Sequence, residues 1–277
     1  MPTVGIVSPG QMGAALGAAL RDGGARVVTT LAGRSARTAR LAAGLETLPT
    51  LAEVVAAADI VLSVTPPAAA RENSNTIAHH ARAETIIADL NAVSPATMAA
   101  IAGDLGGLRL VDGSISGPPP TVSKGARIYL SGPDAAVVAG LPWGDSVEAV
   151  VIGDRIGAAS ALKMCTGSVY KGLTALVTQA MRTAGANGVL DLVLEDLRRN
   201  GLAQTASVTR SAPKAHRFVA EMREVAATQA DAGLTPALFE AIAEVYADVA
   251  TTRLAEGAPE TATDLEPAEI VARLKSS

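Results

Sequence analysis

Aromatic residues are scarce, with one Trp, three Tyr and two Phe among 277 residues. A surface that stacks single-stranded nucleic acid on aromatic rings is therefore a poor reading. Cysteine is scarcer still. The lone Cys165 excludes an internal disulfide and a cysteine-rich metal site. His79 and His80 are adjacent and so do not share a helix face; they read as surface residues, and no metal site is expected. No basic run stands out and the net charge is −4, so nucleic acid and anionic membrane are poor partners. No run of about 18 apolar residues would span a bilayer, and no charged-then-apolar leader opens the chain. A soluble cytoplasmic protein acting on a small molecule is the expectation. What the chain does have is a 49% hydrophobic composition, so Ala, Val and Leu must build the core.

The stretch that organises the rest is Thr3 to Leu20, TVGIVSPGQMGAALGAAL. Val4, Ile6 and Val7 are β-formers. Ser8, Pro9, Gly10 and Gln11 break the strand, and from Gly13 the Ala and Leu run reads as a helix with Leu16 and Leu20 on one face. Strand, small-residue turn and helix direct backbone N–H groups and a helix dipole at a phosphate. Ser8-Pro9-Gly10-Gln11-Met12-Gly13 occupies the window of the dinucleotide fingerprint GxGxxG, with Ser at the first Gly. Gly10 would admit a pyrophosphate, and Gly13 would let the helix pack on the strand.

A second strand, Ala25 to Leu31, ends in Ala32-Gly33-Arg34-Ser35-Ala36-Arg37-Thr38. An acid here would bind the ribose hydroxyls of NAD, and an Arg would take the 2′-phosphate of NADP. No Asp or Glu lies between Gly24 and Leu45. NADP(H) is therefore expected, held by Arg34 and Ser35 with Arg37 or Thr38 helping. Arg40 reads as a solvated helix residue. Asp59 to Thr65 is a further strand whose C-terminal end would place Val64, Thr65 and Pro66 near the dinucleotide. Thr85 to Leu90 is another, followed by Asn91, whose amide could meet the nicotinamide or substrate or simply form a turn. Ser94 and Pro95 cap the next helix. Arg109 to Ile115 leads into Ser116-Gly117-Pro118-Pro119-Pro120, where three prolines stop sheet and helix alike. Strands at 127–130 and 147–152 follow.

The alternation over residues 3–153 predicts an α/β Rossmann-type doubly wound parallel sheet. Residues 154–277 read as an all-α domain. Asp154 is placed to cap a helix of about 154–184, roughly 45 Å long at ~1.5 Å per residue. Helices are also expected at 189–199, 215–232, 236–256 and 267–275. On the long helix, Lys163, Thr166, Gly167, Tyr170, Lys171 and Thr174 share a stripe. A lysine facing a cofactor can serve as acid–base once its reference pKa of about 10.4 is lowered by burial or by another cation. Lys171 is a candidate for that second charge.

These segments together resemble the β-hydroxyacid dehydrogenase and 6-phosphogluconate dehydrogenase superfamily. IVSPGQMGAALGAAL is similar to its cofactor loop. VDGSISGPPP is similar to its substrate loop D-x-x-[VI]-S-G-G, with Pro118 at the second Gly, and IGAASALKMCTG resembles its catalytic helix. PKAHRFVAEMREVAATQADAGLTP is similar to the C-terminal domain of a poorly characterised branch. The resemblance implies that Lys163 is the general acid–base and that Ser116 and Gly117 hold a substrate carboxylate or similar anion. It also implies a homodimer through the helical domain. The family's Asn pair is Thr166 and Gly167 here, so Tyr170 is a candidate for orienting substrate. The Lys of its K-D-L motif is replaced in Glu221-Met222-Arg223. The expected activity is hydride transfer between NADP(H) and a small polar, anionic alcohol or carbonyl compound. The alternatives are imine reduction on the same fold, or NADP(H) binding without turnover. Sequence assigns no role to Glu221 and ranks packing or exposure above catalysis for His216.

Overall fold

The computed structural model describes residues 1–275. The chain forms two compact units, Met1–Met164 and a second that begins at Cys165.

The first unit is built on one eight-stranded sheet. In chain order its elements are β1 (Thr3–Val7), α1 (Gln11–Asp22), β2 (Arg26–Thr30), α2 (Ala36–Leu41), β3 (Glu46–Leu48), α3 (Leu51–Ala57) and β4 (Ile60–Ser63). Then come α4 (Ala70–His80), β5 (Ile86–Asp89), α5 (Pro95–Asp104), β6 (Arg109–Ser116), β7 (Ala126–Ser131), α6 (Ala135–Ala139) and β8 (Val147–Gly153). The strand order is β3-β2-β1-β4-β5-β6-β7-β8. The chain goes outward from β1 to β3, then returns to pair β4 on the other side of β1. That reversal opens a crevice beyond the C-terminal ends of β1 and β4, the place where doubly wound sheets bind ligands.

The sheet is mostly parallel, not wholly so as the alternation suggested. β7 runs antiparallel to β6, and β8 then runs parallel to β7. The cause is local. The β6–β7 connection is a proline-rich loop, and without a crossover helix the next strand returns antiparallel.

Strand side chains alternate between two apolar layers. Val4, Ile6, Ile60, Leu62 and Ile86 pack with Leu16 and Leu20 of α1 and Val138 of α6 on one face. Val7, Val61 and Ile87 pack with Val55 of α3, Ile77 of α4 and Met98 and Ile101 of α5 on the other. Helix starts follow local chemistry. Thr50 and Glu53 form a reciprocal capping box on α3, and the Ser94 hydroxyl caps α5 with Pro95 at its first position.

The long helix, α7, spans Ala158–Ala186 and not 154–184. Asp154 does not cap it. Its first turn is held instead by Asp112, a fully buried residue of β6. Asp112 Oδ2 accepts the N–H groups of Gly157 (2.8 Å) and Ser160 (3.1 Å), and Oδ1 accepts the Ser160 hydroxyl at 2.7 Å. Ser131 Oγ donates to Asp112 and accepts the Ala159 N–H. The start of α7 is thereby tied to the sheet, which is why the compact units divide after Met164 rather than after residue 153.

In the second unit the described residues form no strand. It contains the remainder of α7, then α8 (Leu190–Arg199), α9 (Thr205–Ser211), α10 (Ala215–Asp231), α11 (Ala237–Val249) and α12 (Pro267–Arg273). The helix expected over 236–256 stops at Val249; a separate 3₁₀ turn follows at Arg253–Ala255. α9 was not anticipated: TASVTRS is short and carries β-branched residues of weak helix propensity. Met222 and Val225 of α10 and Ile242, Tyr246 and Val249 of α11 are buried. Phe218 meets Tyr246 edge-to-face at 5.2 Å.

Candidate active site

The cofactor loop lies between β1 and α1. Ser8 has φ +67°, the one positive value at a non-glycine among the described residues. It stands where the fingerprint has its first Gly and adopts the left-handed conformation that favours Gly there. The Gly10 N–H closes a tight turn onto the Ser8 carbonyl at 2.8 Å. A Cβ on Gly13 would lie 2.5 Å from that same carbonyl oxygen, so Gly13 is what allows α1 to approach β1. A Cβ on Gly10 would meet nothing within 4 Å. Gly10 is the N-cap of α1 with no side-chain cap, and the first turn carries no acid. The N–H groups of the first turn, formed by Gln11, Met12 and Gly13 after Pro9, thus lack an internal acceptor and face an open approach. This end of the sheet fits a dinucleotide pyrophosphate.

At the end of β2, Arg34 and Ser35 are both exposed. Gly33 turns the chain with φ +68°, and the Arg34 N–H bonds to the Leu31 carbonyl. The Ser35 hydroxyl accepts the Thr38 N–H and caps α2, so Ser35 shapes the turn that presents Arg34.

The ends of β4 and β5 are joined by a buried polar network. Asn91 Nδ2 donates to Ser63 Oγ (3.0 Å) and Asp89 Oδ2 (2.9 Å). Its Oδ1 accepts the Thr65 N–H at 2.5 Å and the Thr65 hydroxyl at 3.3 Å. Both amide hydrogens and both oxygen lone pairs are therefore occupied. This corrects the expectation of a direct contact: Asn91 positions the segment Val64-Thr65-Pro66 and has no amide group to spare for a ligand. Within that segment Thr65 is buried, Val64 is half-buried and Pro66 is exposed. Asp89 also accepts the Asn91 N–H at 3.0 Å. Burial lifts its pKa to about 7, the adjacent Asp112 adds to the rise, and the bonds from Asn91 and Ser63 oppose it.

At the end of β6 the structure brings together three expected residues. Lys163 Nζ donates to the Ile115 carbonyl at 2.7 Å. Ser116 and Gly117 follow at once. Ser116 is half-buried, and Gly117 has φ +100°, with Ala126 and the Gly125 carbonyl too close for an easy side chain. Asp112, three residues before Ile115, fixes the helix start from which Lys163 projects. An amine, a hydroxyl and a glycine turn at a strand's C-terminal end can hold a small polar group and move a proton.

Tyr170 belongs to the second unit, where its side chain is exposed. Lys171 does not act as an unpaired positive field. Its Nζ lies 2.5 Å from Glu221 Oε1, with 16% and 9% of the two side chains exposed. The Tyr246 hydroxyl donates to the Lys171 carbonyl. Among the described residues no group of His, Cys, Asp and Glu could hold a metal ion. A cavity of about 390 Å³ lies at the N-terminal ends of the strands, lined by Asp59, Ile86 and Arg109. It is at the opposite ends of the strands from the loop described here.

Sequence reasoning missed Asp112, Asp89 and Tyr246 as structural partners. The available signal was the acid inside the apolar runs TIIADL and RLVDGSI, since a buried carboxylate needs donors.

The model of the NAD binding domain of 6-phosphogluconate dehydrogenase matches residues 3–152, more than half of the chain. The chain belongs to that family. Residues 184–249 match a second model, described as a domain of unknown function. Among solved structures, this 6-phosphogluconate dehydrogenase-type chain is 28% identical to a conserved protein of unknown function described as similar to 3-hydroxyacid dehydrogenases. That match has a TM-score of 0.65 and covers 89% of this chain and 97% of that one. It shares its fold with 3-hydroxyisobutyrate dehydrogenase from Mycobacterium tuberculosis, at 19% identity, TM-score 0.70 and full coverage of both chains. A reductive aminase from Aspergillus terreus, solved with NADPH, has the same fold at 16% identity and TM-score 0.59, covering 99% and 100%. The chain is an oxidoreductase with an NAD(P)-binding Rossmann domain and a helical C-terminal domain. No helix among the described residues is long and apolar enough to cross a membrane.

Proposed function

We propose that the protein is an NADP(H)-dependent oxidoreductase that moves hydride between the nicotinamide and a small polar, anionic alcohol or carbonyl compound. The observation that carries this reading is Lys163 Nζ bonded to the Ile115 carbonyl, beside Ser116 and Gly117. The bound dinucleotide would supply or accept the hydride. Lys163 would give or take the proton at the oxygen on the reacting carbon. Ser116 and the Gly117 backbone would hold the polar part of the substrate. Arg34, exposed and presented by the Ser35-capped turn, would bind the 2′-phosphate with charge-assisted hydrogen bonds. Imine chemistry, as in the reductive aminase, is the second reading; retention of a lysine against the substrate loop favours the C–O bond.

Calorimetry with NADPH and NADH on wild type and Arg34→Ala tests the cofactor. NADPH affinity should fall at least about tenfold in the variant, with NADH binding unchanged. A screen of small hydroxy acids, aldehydes and imines then tests the chemistry. Lys163→Met should bind NADPH normally and lose turnover. NADPH binding with no turnover on any compound would support a binding protein, and no binding of either dinucleotide would end the enzyme reading.

The same proposal includes a homodimer through the helical unit. Val169, Tyr170 and Leu176 on α7, Leu192 on α8 and Leu238 on α11 are each more than half exposed. On α7, Val177 and Met181 are buried, whereas Val169 and Leu176 are exposed. Large apolar side chains left outside on one unit fit a second copy of the chain. A stable monomer by sedimentation at micromolar concentration would refute the dimer.

A further inference from the structure

We propose that Asp89 is a positioning residue for the dinucleotide, an assignment that rests on the NADP(H) reading above. As a carboxylate it aligns the Asn91 amide that holds Thr65; on taking up a proton it turns that amide over and releases Thr65. Three donors converge on Asp89. Oδ1 accepts the Asn91 N–H at 3.0 Å, Oδ2 accepts Asn91 Nδ2 at 2.9 Å, and the Ser63 hydroxyl bonds to the same carboxylate. Ser63 stands directly opposite Asp89 in the β4–β5 register. A ring of donors suits a carboxylate and offers no acceptor to a carboxyl proton. The Asn91 amide has a donor end and an acceptor end. Its donor end faces Asp89 and Ser63, and its acceptor end takes the Thr65 N–H at 2.5 Å and the Thr65 hydroxyl at 3.3 Å. A protonated Asp89 carries an O–H toward that donor end, so the amide turns over to meet it with Oδ1. Nδ2 then confronts the Thr65 N–H, donor against donor. The Ser63 and Thr65 hydroxyls can rotate to suit, but a backbone N–H cannot. Thr65 is buried, so its N–H is left without an acceptor and the segment Val64-Thr65-Pro66 shifts.

The surroundings of Asp89 bring this change close to neutral pH. On β6, Asp112 lies opposite it in register, engaged with Ser131, Gly157 and Ser160. The one charge on α5, Asp104, sits at the far end of that helix and bonds to Arg71 of α4 at 2.9 Å. Glu72, His79 and His80 of α4 are exposed, as are Asp154 and Arg155 ahead of α7. Lys163 of α7 is bonded to the Ile115 carbonyl. Asp112 is thus the charge that faces Asp89, and it repels a second carboxylate. Burial raises the Asp89 pKa to about 7, with the Asp112 charge adding to the rise and the bonds from Asn91 and Ser63 opposing it. The clasp on Thr65 is closed above that pH and opens below it, so dinucleotide affinity falls as the pH falls.

The test is calorimetric titration of the full chain with NADPH and with NADH at pH 6 and pH 8, beside a pH titration of the Thr65 amide by nitrogen–proton correlation NMR. One unit below the midpoint about a tenth of the molecules keep the clasp closed, so wild type should bind about tenfold more weakly at pH 6 than at pH 8. The Thr65 amide resonance should shift with a midpoint near pH 7. Asp89→Asn sets a carboxamide where the protonated acid would stand. It should bind at pH 8 as weakly as wild type does at pH 6, and its Thr65 amide should not titrate. The 2′-phosphate of NADPH ionises in both proteins, so the pH dependence lost in Asp89→Asn is the part that belongs to the clasp. A purely structural role for Asp89 would weaken the variant without removing that dependence. A wild-type Thr65 amide that does not move between pH 6 and pH 8 overturns the proposal, and that measurement needs no variant to fold. Equal pH dependence in wild type and Asp89→Asn overturns it as well. A titrating Thr65 amide with no binding of either dinucleotide at any pH would leave the Asp89 switch standing and refute the dinucleotide reading instead.

Discussion

Truncating Asp112 should strongly destabilise the first unit. Its carboxylate is fully buried and accepts four hydrogen bonds, from the Gly157 and Ser160 N–H groups and the Ser131 and Ser160 hydroxyls. Asp112→Ala leaves two backbone donors at the start of α7 with no acceptor. The hydroxyls can turn, and Ser131 still accepts the Ala159 N–H, so they add less. At about 1–3 kcal/mol per orphaned buried donor, the expected cost is about 3–5 kcal/mol. Asp112→Asn keeps an acceptor oxygen and the side-chain shape. It loses only the charge on the hydrogen bonds and the interaction with the helix dipole, about 1–2 kcal/mol. Urea unfolding measures both. Trp143, the single tryptophan, lies buried in the first unit and reports its transition by fluorescence separately from the helical signal in circular dichroism. Asp112→Ala within 1 kcal/mol of wild type would refute the capping account, as would an Asn variant as damaged as the Ala variant.

Three further outcomes are expected. Asp89 holds its proton to about pH 7 when folded and releases it near 3.8 when unfolded, so wild-type stability should decline as pH rises from about 4 to about 7 and be flat above. Asp89→Asn should remove that decline, and the difference between the two pKa values sets its size at up to about 4 kcal/mol, measured by urea unfolding at pH 5 and pH 8. Gly13→Ala would drive a methyl group to 2.5 Å from the Ser8 carbonyl, pushing α1 from β1. A loss of about 1–3 kcal/mol and a weakened dinucleotide affinity should follow, and unaltered NADPH binding would count against the loop assignment. Glu221→Ala strands Lys171 in a mostly buried setting and should cost about 3–5 kcal/mol in the helical unit. Glu221→Ala/Lys171→Met should recover a large part of that loss, and a double variant no better than the single one would contradict the pairing.

The site was legible in sequence to the extent that its chemistry is local. The cofactor loop could be read because strand, turn and helix are contiguous over Thr3–Leu20, and Lys163 because the contiguous segment IGAASALKMCTG resembles the family's catalytic helix. Asn91 shows where that stops. A polar residue at a strand end reads equally well as ligand or turn, and only the donors from Thr65 and the acceptors at Ser63 and Asp89 decide that it is a structural clasp. The capping of α7 was misassigned to Asp154 for the same reason. A nearby acid is the local choice, whereas the true cap, Asp112, comes from 45 residues away across the sheet.

The sequence by itself determined the longer elements and their order, because propensity, period and turn chemistry act over a few residues; the short β3, α6 and α9 were not marked in it. It also determined the parallel Rossmann core, since short strands alternating with helices can bury both sheet faces in essentially one way. Tertiary structure alone decided the reversal at β7, the pairing of Asp112 with the start of α7, and the neutralisation of Lys171 by Glu221. Each of these depends on which buried polar groups find partners far away in the chain. Burial makes such partnerships obligatory without marking them in any local pattern.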